Sequence, residues 1–289
     1  MGFDHWVDAV RRDLDAEFAP RIKRALARWP VALDEITVSG VSCLSVSPAP
    51  RADRAQNGDI AGTVLDFCGG GYVSGSPETD MPIIAALASL GSLRIVAPRY
   101  DLAPEHPFPA AFEQAASVYA GLDDLLGVAG ESAGGGLALS LLNQPKPPER
   151  FVLFSPWVDM TGPGLAATQD DPTLSKADLE TMARVFLNGA AAQAASPGVG
   201  PLPEPVPPML LTTGAQDILR RQVLDFHARL TAAGADSTLR DAPEMWHVFE
   251  VYDECHAAEA SLRDAARFLT GQSVSHTPGR LWLIPTSTA

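Results

Sequence analysis

The chain has 289 residues, 46% of them hydrophobic, and a formal net charge of −14 at pH 7. That length and apolar content suffice for one large core with a small lid. The negative surface repels phosphate backbones and anionic bilayers, which argues against nucleic-acid and membrane partners. The three cysteines, Cys43, Cys68 and Cys255, lie far apart with no CxxC or Cys/His spacing. Neither a disulfide framework nor a zinc site is therefore expected, and a reducing, cytoplasmic setting fits. Residues 1–6 carry no charged-then-apolar leader pattern. No apolar run nears the roughly 18 residues of a membrane span.

In chain order, Phe3, Trp6, Val7, Val10, Leu14 and Phe18 recur at helical spacing. Pro20 interrupts this helix, and Ile22, Leu26 and Trp29 continue its apolar stripe. These large side chains either dock on the core or belong to a lid. Residues 36–46 read as one strand and 51–58 as a polar turn; residues 63–67 form a short apolar run that ends at Cys68-Gly69-Gly70-Gly71. Residues 93–97 read as a strand and 110–126 as a helix. Val128 and Ala129 enter Gly130, and a helix of small residues leaves over 133–142. Buried-type strands are predicted at 151–154, 209–213 and 238–241, with helices at 220–233 and 255–269.

Short apolar runs alternating with amphipathic helices predict an α/β fold class, a mostly parallel central sheet with helices on both faces. A single domain over 1–289 follows. Residues 160–205 break the rhythm and read as an insertion that joins residues 1–30 in a small helical cap. The tail 272–289 is rich in turn formers, and Leu281 to Ile284 within it could add a strand or meet a partner.

Gly130-Glu131-Ser132-Ala133-Gly134 is a GxSxG pentapeptide between a strand and a helix. A nucleophile in so tight a turn needs small neighbours, and its oxygen projects above the sheet near the positive end of the following helix. The bland alternative is a serine-bearing turn without chemistry. Gly69-Gly70-Gly71, after an earlier strand, is either a flexible loop or a set of inward N–H donors. With Ala133, the amides of Gly70 and Gly71 would then hold a developing oxyanion. A phosphate loop does not fit, because no Lys-Ser/Thr follows and GxGxxG spacing is missing.

The partners follow in the order Ser, acid, His. Asp217 follows the strand at 209–213, and His247 follows the strand at 238–241. Open parallel sheets place their chemistry at such carboxyl ends. The candidate catalytic residues are thus Ser132 as nucleophile, His247 as base and Asp217 as the acid that orients it. His106 sits between Glu105 and Pro107 and reads as structural. His227 and His256 fall inside helices, His5 and His276 near the ends, and Asp236 and Asp241 flank a strand without following one in the required order.

At this point the sequence resembles the hormone-sensitive lipase family of α/β-hydrolases, which includes many bacterial carboxylesterases. The resemblance runs from about residue 65 to 249. It rests on Tyr100-Asp101-Leu102-Ala103-Pro104-Glu105-His106-Pro107-Phe108-Pro109, the nucleophile motif, Ser155-Pro156-Trp157-Val158-Asp159, Gly214 to Asp217 and His247-Val248-Phe249. It implies an α/β-hydrolase fold with a helical cap and no metal or organic cofactor. It also implies a small-molecule ester as substrate and, as is common in the family, a homodimer. Three departures stand out: Cys68 where the glycine loop usually begins with His, Glu131 where Asp is usual, and Asp101 where Arg usually follows the Tyr. The missing His puts the loop's rigidity in question. Cys68 itself is either a packing residue or a reactive thiol.

The expected activity is hydrolysis of small short-acyl esters, with Tyr72, Trp157, Phe186 and Trp6 as candidate substrate contacts. Two alternatives stay open. One is a related acyl hydrolase (amidase, lactonase or arylformamidase); the other is a non-catalytic ligand-binding protein on the same fold, a reading that the presence of His247 disfavours.

Overall fold

The computed structural model describes residues 3–50, 60–162 and 171–274. The turn read at 51–58, the first part of the expected insertion and the tail strand at 281–284 lie outside the described residues. The chain runs α1 (Phe3–Arg28), β1 (Val31–Val38), β2 (Val41–Pro48), β3 (Gly62–Phe67), α2 (Met81–Gly91), β4 (Leu93–Pro98), α3 (Ala110–Ala120) and β5 (Leu125–Glu131). It continues through α4 (Ala133–Leu139), β6 (Phe151–Phe154), α5 (Lys176–Leu187), β7 (Met209–Gly214), α6 (Arg220–Ala232), β8 (Ser237–Ala242) and α7 (His256–Leu269).

The eight strands form one sheet in the order β1-β2-β4-β3-β5-β6-β7-β8. β1, β2 and β4 pair antiparallel, and every pair from β4 through β8 is parallel. Period-2 alternation sends Leu65, Phe67, Val128, Phe151, Leu153 and Leu211 to one face, packed against α3, α4 and α6. Val64, Ala129, Val152, Phe154 and Leu210 point to the other, against α2 and α7. Both faces are apolar because both are covered, which is why these strands read as continuous hydrophobic runs.

Three elements depart from the sequence reading. The stretch 36–46 is two strands of a hairpin, broken at Ser39 and Gly40, whose φ angles are 48° and 83°. Two consecutive positive φ values make the turn whose twist suits a hairpin. The helix expected over 110–126 stops at Ala120, and β5 takes over from Leu125 to pair with β3 and β6. Pro20 does not interrupt α1. The helix forgoes one N–H there, but tertiary packing holds it on both sides: Trp6, Val7 and Val10 join the first apolar cluster, and Phe18, Ile22 and Leu26 the second. Among the described residues, no helix is long and apolar enough to cross a membrane.

The segment after β8 is pinned from beneath by Glu250. Its buried carboxyl accepts from Thr212 Oγ1 on β7 at 2.7 Å and from Ser261 Oγ on α7 at 2.8 Å. Burial pushes this carboxyl up from 4.5 to about 7, against the lowering effect of those hydrogen bonds. The native state therefore keeps a proton that the unfolded chain releases, and stability falls as pH rises from about 4.5 through about 7. Glu250→Gln keeps an acceptor oxygen without the charge. Its stability relative to the parent chain should rise across that window by on the order of 3 kcal/mol, measured by urea unfolding at pH 5 and pH 8. An equal response at both pH values contradicts this account.

Candidate active site

Ser132 sits between β5 and α4 with φ 52° and ψ −118°, a conformation that is strained for any residue with a Cβ. The surroundings enforce it. A Cβ on Gly134 would collide with the carbonyl oxygens of Phe67 and Cys68, so α4 can start this close to β3 only with glycine there. Ser132 N–H donates to Phe154 O at 2.9 Å, and Ser132 O accepts from Trp157 N–H at 2.8 Å. The turn is thus stitched to β6 and to the segment after it.

His247 comes to this serine from the loop after β8, and Asp217 from the loop after β7. His247 Nε2 lies 2.9 Å from Ser132 Oγ, and Nδ1 lies 3.0 Å from Asp217 Oδ1. Asp217 is held in turn: its Oδ1 accepts from Leu219 N–H at 2.9 Å and its Oδ2 from Thr213 Oγ1 at 2.8 Å. Val248, just past the imidazole, has φ 45° and donates its N–H to Ser155 Oγ. Burial alone would push the Asp217 carboxyl up, but the charge of His247 and the hydrogen bond to it outweigh burial and hold it below the usual range. Burial likewise lowers His247, and Asp217 reverses that through charge and hydrogen bond, leaving the imidazole above its ordinary value.

The glycine loop after β3 turns back on itself. Gly70 and Gly71 have φ 110° and 63°, and Gly70 O accepts from Val73 N–H, Ser74 N–H and Ser74 Oγ. Among the described residues, the N–H groups of Gly70, Gly71 and Ala133 donate to no protein acceptor. Other atoms replace the histidine that is missing at position 68. Tyr100 donates its hydroxyl to Cys68 O at 2.8 Å, and Glu131 Oε1 accepts from Gly69 N–H at 2.5 Å. The longer Glu at 131 and the Tyr of the Tyr100-Asp101 stretch therefore hold the loop. Cys68 is buried, and burial, reinforced by the charges of Asp80, Glu131 and Asp66, pushes its thiol well up. Its side chain packs in the core, where burial disfavours the thiolate.

Three of the four substrate-contact candidates cluster beside this loop. Tyr72 follows Gly71 and stacks on Phe186 of α5 with ring centroids 4.0 Å apart; Trp157 lies 6.4 Å from Tyr72. Tyr72, Trp157 and Phe186 are fully buried and form an aromatic wall, whereas Trp6, half-buried on α1, packs on the core of the same sheet face without a ring contact to them. Met182 of α5 stands over the loop: a Cβ on Gly71 would run into its sulfur. Asp171 was also missed. Its Oδ2 accepts from the N–H of Ile218 and of His247. An Asp-Pro pair in a polar stretch carries no signal of such reach. The donor atoms of Asp171, Asp217 and His247 lie within 4.8 Å of one another. Hydrogen bonds already engage both carboxylates and both ring nitrogens, which accounts for the cluster without an ion. The remaining rivals stay apart: His227 bonds Ser237, His106 lies by Asp101, and Asp241 pairs with Arg220.

A parallel sheet whose carboxyl ends bring a serine, an imidazole and a carboxylate into one hydrogen-bonded line defines the class, a serine hydrolase on the α/β-hydrolase fold. Comparison with known proteins narrows it. A family model described as alpha/beta hydrolase fold matches residues 64–251. An acetyl-hydrolase of Streptomyces hygroscopicus is 32% identical over 235 residues, 76% of either chain. An esterase of Acinetobacter venetianus is 29% identical over 72% of this chain and 74% of its own. The structure of an esterase from the bacterial hormone-sensitive lipase family superposes with a TM-score of 0.78 at 26% identity, covering 93% of this chain and 97% of its own. The chain belongs to the hormone-sensitive lipase family of α/β-hydrolases, and it is a carboxylic ester hydrolase.

The strained φ at Ser132 carries a consequence for stability. Ser132→Gly should be more stable than Ser132→Ala by about 1–2 kcal/mol in urea unfolding, because only glycine relaxes at this position. Equal midpoints would show that the turn stores no strain.

Proposed function

We propose that the chain hydrolyses small short-acyl esters through an acyl-enzyme formed on Ser132. The single observation that carries this reading is the unbroken line from Ser132 Oγ through His247 to Asp217, with successive contacts of 2.9 and 3.0 Å. Ser132 Oγ attacks the ester carbonyl while His247 Nε2 takes its proton. The N–H groups of Gly70, Gly71 and Ala133 receive the oxyanion. The tetrahedral species collapses, the C–O bond to the leaving group breaks, and His247 returns the proton to the departing alkoxide. Water then attacks the acyl-enzyme, with His247 again as base, and frees the carboxylic acid and Ser132. Asp217 keeps Nδ1 protonated and balances the imidazolium.

The short-acyl reading is supported by Met182 over Gly71 and by the buried rings of Tyr72, Trp157 and Phe186, which fill space beside the same loop. The acetyl-hydrolase relative points the same way. In this proposal residues 1–30 and 160–205 act as a cap within a single domain.

Purified protein should turn over p-nitrophenyl acetate and butyrate faster than octanoate. Ser132→Ala should lose about 10⁴-fold or more in kcat and all labelling by a fluorophosphonate probe at the peptide containing residue 132. Full activity of Ser132→Ala sinks the mechanism. The raised imidazole fixes the sign of the pH profile: His247 must be neutral to act as base, so kcat/KM should fall on the acid side with a midpoint above the ordinary imidazole value of about 6.5. A limb centred below that value would contradict the proposed coupling to Asp217.

A further inference from the structure

Asp171 precedes α5 in the chain, just before its capping residue Ser175, and its two carboxylate oxygens do different work. Oδ1 accepts from Thr173 N–H at 2.9 Å and Thr173 Oγ1 at 2.8 Å, an ordinary local turn. Oδ2 reaches 47 residues along the chain to Ile218 N–H at 3.0 Å and 76 residues to His247 N–H at 3.2 Å. A turn needs only the first oxygen. The second bridges the backbone of the residue after the acid Asp217 and the backbone of the base itself.

We propose that Asp171 is a positioning residue for ester hydrolysis, whose carboxylate clasps the acid-bearing and base-bearing loops together from the α5 side. The inference rests on the Ser132–His247–Asp217 reading above and deepens it. Those two loops follow different strands, β7 and β8, and each has its own path above the sheet. Asp217 fixes the imidazole ring through Nδ1. Asp171 fixes the main chain from which that ring projects, at the same residue. Two contacts at different atoms of His247 restrain both its position and its rotation, which a nucleophile–base contact requires. The clasp also ties the site to its wall, because α5 carries Met182 over Gly71 and Phe186 against Tyr72.

Asp171 adds charge as well as geometry. Acidic groups face His247 from three neighbouring segments: Asp217 after β7, Glu131 at the end of β5, and Asp171 before α5, each favouring the imidazolium. Arg220 lies near Asp217 but is paired with Asp241. Removing the Asp171 charge therefore moves the kinetic midpoint of the base to lower pH.

The test compares Asp171→Asn and Asp171→Ala with the parent enzyme on p-nitrophenyl acetate, following kcat, KM and the acid limb of kcat/KM. Asn keeps an oxygen for the two backbone N–H groups of Ile218 and His247, turns its NH2 toward Thr173 at the expense of the local turn, and loses the charge. It should stay within about threefold of the parent kcat while its acid limb moves to lower pH. Ala loses both, and kcat should fall by about 10- to 100-fold with KM changed less than threefold. Parental kcat in Asp171→Ala overturns the clasp, as does an unmoved acid limb in Asp171→Asn. If Asp171→Ala fails to fold, the acid limb of Asp171→Asn decides alone. Activity persisting in Ser132→Ala would instead sink the underlying mechanism whatever Asp171 does, so the two failures read differently.

Discussion

The approach of α4 to β3 governs everything above the sheet. Because Gly134 has no side chain, the first turn of α4 lies against the carbonyls of Phe67 and Cys68. That closeness forces Ser132 into its positive-φ conformation and sets the Ala133 amide beside the glycine loop that continues from the same β3. Ser132 and the amides proposed to hold the oxyanion are therefore placed by one packing contact between a helix and a strand. Asp217 and His247 come from loops two and three strands further along the sheet, so their convergence on Ser132 depends on parallel register through β6 and β7, where Ser132 and Ser155 each donate an N–H to the neighbouring strand.

The price of this crowding is a set of buried carboxyl groups. Asp66 and Asp80 face each other beneath the glycine loop, without another hydrogen-bond partner among the described residues. Burial raises both, Asp66 to about 6 and Asp80 well above its ordinary value, so both carboxyls favour the neutral form more than exposed ones do. Glu131 joins them, pushed up to about 7 by burial even as the Gly69 N–H and the charge of His247 pull it down. In a loop that lacks the usual histidine, Glu131 supplies the acceptor for Gly69, and the same residue adds negative potential near the base. Loop support and imidazole tuning are thereby linked through one side chain.

The residues that converge on Ser132 were more legible in the sequence than the ends of the helices and strands. The pentapeptide around Ser132, the three glycines and the order of Asp217 and His247 are each fixed by local backbone needs, and local needs leave local signatures. The two-faced sheet was legible for the same reason, since burial on both sides writes unbroken apolar runs. What escaped detection was mostly set at a distance. Ser39-Gly40, a dipeptide that marks turns, was instead read through as strand because apolar residues recur on both sides of it. Pro20 looked like a break because the packing that carries α1 across it comes from two clusters remote in sequence. Asp171 gave no sign because its partners lie 47 and 76 residues away.

Cys68 shows how a departure from a family pattern is better weighed by function of the atom than by identity of the residue. The loop needs its carbonyl and amide groups fixed, and it needs nothing from the side chain at 68 beyond volume. Tyr100 takes the Cys68 carbonyl and Glu131 takes the Gly69 amide, so the restraint that a histidine would offer is delivered from β5 and from the segment after β4. A small apolar thiol then fits where burial already disfavours any charge. The same reasoning bears on Asp101, which stands where a cation is usual. It lies near His106 and donates its backbone N–H to Gln114 Oε1, outside the line that runs from Ser132 to Asp217. Changes on that outer layer leave the reacting atoms where they are, whereas a change at Gly134 moves all of them at once.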